Sequence, residues 1–233
     1  MENKTTKVLR KSFVYMAGGF LLAAIISLFT FNKLANSNIS ESTLEMYFKS
    51  ALLIQLVVVI VFSLLFRKLS STVVKILFWI YAAIDGATFS IYYAVFTADS
   101  IAKIFFITAI IFGILSYVGY KTENDLTQYG RYIFYFLIAG VILSLIDIWV
   151  NNSIYSLVID WIVLIEFCAV TIYDVNQIVQ RTESIEYQEI TSEDEKGEEE
   201  IEDKIAVYGA MQLYLDYVNI FLRILSIFGK RKD

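Results

Sequence analysis

Seven apolar runs, each 17 to 25 residues long, follow one another along this 233-residue chain: residues 13–31, 44–66, 76–96, 104–120, 132–150, 154–178 and 205–228. A helix needs about 20 such residues to cross a hydrocarbon core of roughly 30 Å. Helices suit that medium because every backbone polar group is satisfied within the segment. The fold class that follows is all-α and integral to the membrane, a seven-helix bundle forming one transmembrane domain over residues 1–233.

Composition narrows the chemistry. Histidine is absent, which removes the commonest general base and metal ligand and with them histidine-dependent zinc or serine hydrolysis. Proline is absent, so no span is kinked by one. The single cysteine, Cys168, allows no internal disulfide and reads as a packing residue. The net charge of −5 hides an asymmetry: residues 183–203 hold eleven acids and one lysine, and the rest of the chain carries 18 basic and 13 acidic residues. The stretch 181–204 is expected to be a polar, mobile cytoplasmic loop.

Lysine and arginine set the expected orientation. Four of them precede the first span, and Arg67, Lys68, Lys75, Lys121, Arg131, Arg181, Lys196 and Lys204 fall on the same side. The N-terminus is therefore expected in the cytoplasm of a multi-pass cell-membrane protein. The first run is read as a retained span rather than a signal peptide, because no good cleavage site follows it. The basic tail 229–233 conflicts with the charge rule, since seven full spans place it outside; a re-entrant last helix is the alternative.

The functional clue is ionic. Asp85, Asp147, Asp160, Glu166, Asp174 and Asp216 all fall inside the apolar runs, where a carboxylate costs at least ~2.5 kcal/mol near a helix centre. Asp174 and Asp216 stand out, on the sixth and seventh spans. Gln177 and Asn219 follow them by three residues, on the same helical face, and with Asn176 are the candidate supporting amides. If the two aspartates meet, one proton is shared between them. Losing it creates like-charge repulsion, parts the helices and exposes oxygens suited to calcium. Asp174 and Asp216 are thus the candidate pH sensor and calcium ligands. Asp85, Glu166 and Asp160 are candidates for an ion pathway, Glu166 sharing the seam and Asp160 lining an entrance. Asp147 reads equally as an interfacial cap. Arg67 is a candidate latch for the pair or a plain interfacial anchor, and Arg223 reads as an anchor. Tyr92, Tyr93, Trp149, Trp161 and Tyr173 read as interfacial belts.

At these residues the chain resembles the Bax inhibitor-1, or transmembrane Bax inhibitor motif, family. The resemblance rests on Ile172-Tyr173-Asp174-Val175-Asn176-Gln177-Ile178 and on Leu213-Tyr214-Leu215-Asp216-Tyr217-Val218-Asn219. It extends to Asp85-Gly86-Ala87-Thr88-Phe89-Ser90, Gly119-Tyr120-Lys121-Thr122 and Asp125-Leu126-Thr127. It implies six helices around a central seventh, a pH-sensitive calcium leak, and a paired-aspartate sensor that carries over onto Asp174 and Asp216. It further implies an arginine latch ending the second span, best matched by Arg67. No cofactor is implied beyond calcium as the permeant ion; the partners are the bilayer, calcium and protons. The acidic stretch looks like an insertion, read as a solvated linker rather than a calcium concentrator.

Three other readings compete. An intramembrane aspartyl protease also pairs two aspartates on neighbouring helices, but its Gly-x-Gly-Asp and Pro-Ala-Leu motifs are missing here. A proton-coupled secondary transporter fits six buried carboxylates, though no internal repeat is visible. The third is a non-transporting scaffold. No nucleic-acid signature is present.

Overall fold

The computed structural model describes residues 4–36, 41–65, 68–150, 152–189 and 195–232. Their order is α1 (Lys4–Ala35), α2 (Glu41–Leu65), α3 (Ser71–Phe89), a four-residue α4 (Tyr92–Val95), α5 (Ala98–Lys121), a 3₁₀ turn (Leu126–Tyr129), α6 (Gly130–Val150), α7 (Ser153–Glu189) and α8 (Glu195–Phe228). Six of these segments are long and apolar enough to cross a membrane among the described residues. The remaining long helix, α2, has 25 residues and a length of roughly 37 Å.

The helix ends follow from local chemistry. Ser70 caps α3 by accepting from Val73 N, and Thr97 caps α5 by accepting from Ser100 N. Asn152 caps α7, its Oδ1 accepting from Ile154 N and Tyr155 N at 2.9 and 3.2 Å. Each side chain satisfies a first-turn amide that has no intrahelical acceptor.

α8 is the centre. It packs on α1, α3, α5 and α7, and 72% of its apolar stretch is buried, against 22% for α1 and 6% for α6. Lipid tails are as apolar as leucine, so packing and polar contacts, rather than escape from water, hold such helices together. Gly86 illustrates the closeness: a Cβ there would sit 2.5 Å from Ala23 O of α1. Aromatic contacts fill the layer around α8, with Phe20 stacked on Tyr214 at 4.4 Å and Phe105 tilted against Tyr217 at 5.2 Å.

The acidic connection departs from expectation. Its described parts, 181–189 and 195–204, are helical extensions of α7 and α8, as glutamate's good helix propensity allows. Three lysines hold the α8 extension. Lys7 meets Glu202 at 2.7 Å, while Lys11 and Lys75 both bind Asp203. Lys7 and Lys11 are four residues apart and share one face of α1.

α8 itself runs unbroken to Phe228. It ends opposite the N-terminus, beside the α4–α5 corner. There Arg231 bridges Phe96, Thr97 N donates to Lys230 O at 3.0 Å, and Lys232 N donates to Val95 O at 2.9 Å. Among the described residues α8 has no break at which a re-entrant helix would turn back. The basic tail is tied down locally, Lys232 Nζ donating to Tyr93 O at 2.6 Å.

A candidate aspartate gate on the central helix

Asp174 on α7 and Asp216 on α8 face each other within hydrogen-bonding range. Both are buried, 7% and 3% exposed. A hydrogen bond between two carboxyl groups needs a proton on one of them. Asp216 Oδ2 receives no donor from any described side chain or backbone group. Gln212 Nε2 donates to Asp174 Oδ1 at 3.1 Å and to Gln177 Oε1 at 3.2 Å, and Gln177 Nε2 donates onward to Tyr173 Oη at 2.9 Å. Tyr173 is therefore an internal residue, 9% exposed, and not part of an interfacial belt.

The supporting amides divide. Gln177 belongs to the site at one remove. Asn219 does not support Asp216, because its Nδ2 donates to Leu215 O of its own helix at 2.8 Å. Asn176 faces away. Its Nδ2 donates to Thr122 O and Asn124 O at 2.9 and 3.2 Å, and its Oδ1 accepts from Leu126 N at 2.9 Å. It fastens the α5–α6 connection. Gln212, four residues before Asp216, supplies the amide that the sequence reading missed.

Arg67 lies outside the described residues. Among the described residues, the cation whose field acts on Asp174 is Arg181, seven residues further along α7. Seven residues are nearly two full turns, so the two share a face. The Arg181 guanidinium lies 4.6 Å from the ring centre of Tyr208 on α8, and Tyr208 stacks on Phe62 of α2 at 5.8 Å.

The other carboxylates are dispersed. Asp85 is 4% exposed and fully engaged: Tyr214 Oη donates to Oδ2 at 2.8 Å and Gln55 Nε2 to Oδ1 at 2.9 Å. It ties α2, α3 and α8 together. Asp147 Oδ1 accepts from Ser156 Oγ at 2.6 Å, bracing the α6–α7 corner. Asp160 is 7% exposed and bound by Arg223 Nη1 at 2.7 Å and Ser226 Oγ at 2.6 Å. Arg223 is thus an internal ion-pair partner rather than an interfacial anchor. Glu166 is 1% exposed and lies against Gly140 of α6, away from the Asp174 seam. Among the described residues no three acidic or cysteine side chains converge. Calcium at the pair would therefore depend on amide, carbonyl or water oxygens as well.

Three cavities, of about 400, 290 and 250 Å³, meet at Asn219, one turn beyond Asp216 towards the opposite end. Asp160 lines the first, Asp85 the second and Glu166 the third; Arg223 borders the first and third.

Residues 5–233 match the family described as "Inhibitor of apoptosis-promoting Bax1". The chain is 34% identical over 218 residues to the inner membrane protein YbhL of Escherichia coli, covering 94% of this chain and 89% of that one. It is 31% identical over 227 residues to an uncharacterized protein of Borreliella burgdorferi, covering 97% and 93%. An uncharacterized membrane protein of Streptococcus pyogenes is 31% identical over 185 residues, covering 79% and 75%. By its aspartate motifs, its helical bundle and the span of these matches, this chain belongs to the Bax inhibitor family of multi-pass membrane proteins.

Proposed function

We propose that this protein is a pH-sensitive leak for cations, with calcium as the permeant ion and the Asp174–Asp216 pair as its gate. The observation that carries this reading is the carboxyl-to-carboxyl contact between α7 and the central helix α8. A buried pair holding one proton is a two-state element. With the proton, a hydrogen bond joins the helices. Without it, two negative charges face each other in a medium that screens them poorly.

Loss of that proton has two opposed consequences. Asp174 and Asp216 repel, which loosens α7 from α8. Arg181, whose charge acts on Asp174, gains a stronger partner. The first moves α7 against α8 and the second, acting within α7, steadies the ionised carboxylate in place; both give calcium a bare carboxylate to bind. Passage of an ion down its gradient requires no bond to be made or broken, so the role is non-enzymatic and needs no cofactor. The lysine and arginine distribution supports an N-terminus in the cytoplasm, with the pair nearer that face.

Calcium entry into proteoliposomes, stepped through pH, tests the gate. Wild-type flux is expected to change steeply with pH, and Asp174→Asn or Asp216→Asn to flatten the curve. An unaltered curve in both variants would remove the pair from the mechanism. Arg181→Gln reports which consequence dominates. If the arginine holds the ionised pair shut, the variant leaks more than wild type at high pH. If repulsion dominates, its curve follows wild type.

A further inference from the structure

Glu166 is a buried carboxylate that no described cation binds directly; Arg223 acts on it only through its field. Its side chain is 1% exposed, and its Oε1 accepts no hydrogen bond. It lies against Gly140 of α6, where a Cβ would overlap Oε2, so a glycine there makes the room that this carboxylate occupies. It opens onto the cavity of about 250 Å³ between α6, α7 and α8, which Ser144, Asn219 and Arg223 also line.

Arg223 is the nearby cation, but it is committed elsewhere. Its Nη1 donates to Asp160 Oδ1 at 2.7 Å and its Nη2 to Ser144 Oγ at 3.2 Å, and Ser226 Oγ completes Asp160 at 2.6 Å. Asp160 and Arg223 therefore cancel, and the charge of an ionised Glu166 is left over. Asp160 and Glu166 are six residues apart on α7, about 9 Å along the axis. That is too far for one ion to bridge them, but Arg223 borders the cavities of both. The neutral oxygens suit a cation. Asn219 spends its Nδ2 on Leu215 O, and no described group donates to its Oδ1. The remaining charged groups facing this region are Asp85, in the cavity that also contains Asn219, and Arg231 at the mouth of the largest.

We propose that Glu166, with Asn219 and Ser144, forms a calcium seat towards the opposite end of the bundle from the aspartate pair, and that Arg223 is the tethered cation guarding it. With no ion present, the guanidinium is parked on Asp160 and its field keeps a divalent ion weakly held. The seat leads to the gate, since Asn219 is one turn from Asp216. One carboxylate with neutral oxygens and water places the affinity in the weak class, with Kd of roughly 10⁻⁴–10⁻³ M. The choice of calcium rests on the leak reading above; the seat itself rests on the orphaned carboxylate and its cavity.

The test is equilibrium dialysis of radioactive calcium against the full-length protein in detergent micelles, which needs no flux. Wild type is expected to bind weakly. Glu166→Gln keeps the shape, discards no hydrogen bond made by Oε1 and mimics a merely protonated acid; it is expected to lose this binding. Arg223→Gln is expected to tighten it by at least ~10-fold, through removal of a positive charge next to the site, while Arg223→Lys stays near wild type. Because the pair is itself a candidate calcium ligand, Asp174→Asn combined with Asp216→Asn is dialysed alongside to separate the two sites. Glu166→Gln binding calcium as wild type does would overturn the seat, as would wild type and Arg223→Gln both failing to bind. Should Arg223→Gln not fold, the Glu166→Gln comparison decides alone. Loss of binding in the double aspartate variant, with Glu166→Gln unaffected, would assign the calcium to the pair instead. A protein that leaks nothing in liposomes yet binds through Glu166 would sink the leak and keep the seat.

Discussion

Asp85 and the Asp174–Asp216 pair are equally buried and differently treated. Asp85 receives a phenol hydroxyl at 2.8 Å and an amide at 2.9 Å, one on each oxygen. Among the described residues the pair receives one amide, at 3.1 Å and on Asp174 alone, and Asp216 Oδ2 accepts no hydrogen bond. A buried polar group with its donors in place is a fastener; one without them stores unspent interaction energy. The helix bundle thus contains one carboxylate fixed by two donors and a carboxylate pair with fewer, which is the pair proposed above as the gate. The difference lies in donors, because depth is common to both.

The largest expected effect separates these two directly. Asp216→Asn should abolish most of the pH response of calcium flux, because an amide cannot share and release the proton. Asp85→Asn should retain that response, whatever it does to protein yield. If Asp85→Asn flattens the flux curve and Asp216→Asn does not, the contrast is reversed and the gate lies in the α2–α3–α8 contact.

Next in size is stability. Tyr214→Phe deletes the hydroxyl that Asp85 Oδ2 accepts from and leaves the ring stacked on Phe20. The carboxylate is then short of a donor in the manner of Asp216, at a cost of about 1–3 kcal/mol. The melting temperature in detergent should fall by several degrees while the pH midpoint of flux stays where it was. A moved midpoint with unchanged melting would mean that Asp85 is itself part of the gate.

Much of this was legible from residue order. Long apolar runs fixed the helices, because lipid leaves the backbone few alternatives, and carboxylates within those runs stood out because each is costly there. What could not be read was the direction of individual side chains. Asn176 follows Asp174 by two positions, 200° around the helix, so its turn away to the α5–α6 connection was available in the spacing and overlooked. Gln212 and Asn219 flank Asp216 at −4 and +3 and lie on nearly the same face. Periodicity cannot tell which amide spends itself on a backbone carbonyl, and Asn219 does. Arg223 looked like an anchor because nothing in the order of residues pairs it with Asp160, 63 positions earlier. The acidic stretch reads as a loop by its charge alone. The helical character of its described parts follows from glutamate's propensity, and its docking from the lysines of α1 and α3.

That docking gives a smaller expected effect. Asp203 is held by Lys11 and Lys75, side chains that are 23–32% exposed. Asp203→Asn should lower the melting temperature by the equivalent of about 1 kcal/mol or less, because partly exposed ion pairs are discounted by solvent. The loss should shrink further at 1 M salt, where the Debye length is about 3 Å. A salt-independent loss as large as that of Tyr214→Phe would show the clamp to be as much a part of the core as Asp85.

The smallest effect concerns Asp125, a carboxylate with donors but no burial. It lies between α5 and the 3₁₀ turn, outside the spans, and accepts from Thr127 N at 2.8 Å and Thr127 Oγ1 at 2.5 Å. These donors hold its carboxyl below the ordinary aspartate range, with the hydroxyl the larger cause. A carboxylate held low in the folded state contributes stability that is fully present above the ordinary aspartate value, about 3.9, and is lost as pH falls through the lowered one. Neutral pH is therefore a plateau for this group. Thr127→Ala should leave the flux curve untouched and the melting temperature within ~1 °C of wild type at pH 7, in keeping with the small worth of exposed contacts. Any cost it has is to be sought above pH 4, where the wild-type bond is intact, and should vanish below the acid end of that titration. If Thr127→Ala moves the flux midpoint, hydrogen-bond donors at a solvated carboxylate would matter to gating as much as those in the bundle. The contrast between Asp85 and the pair would then have to be drawn on something other than donors.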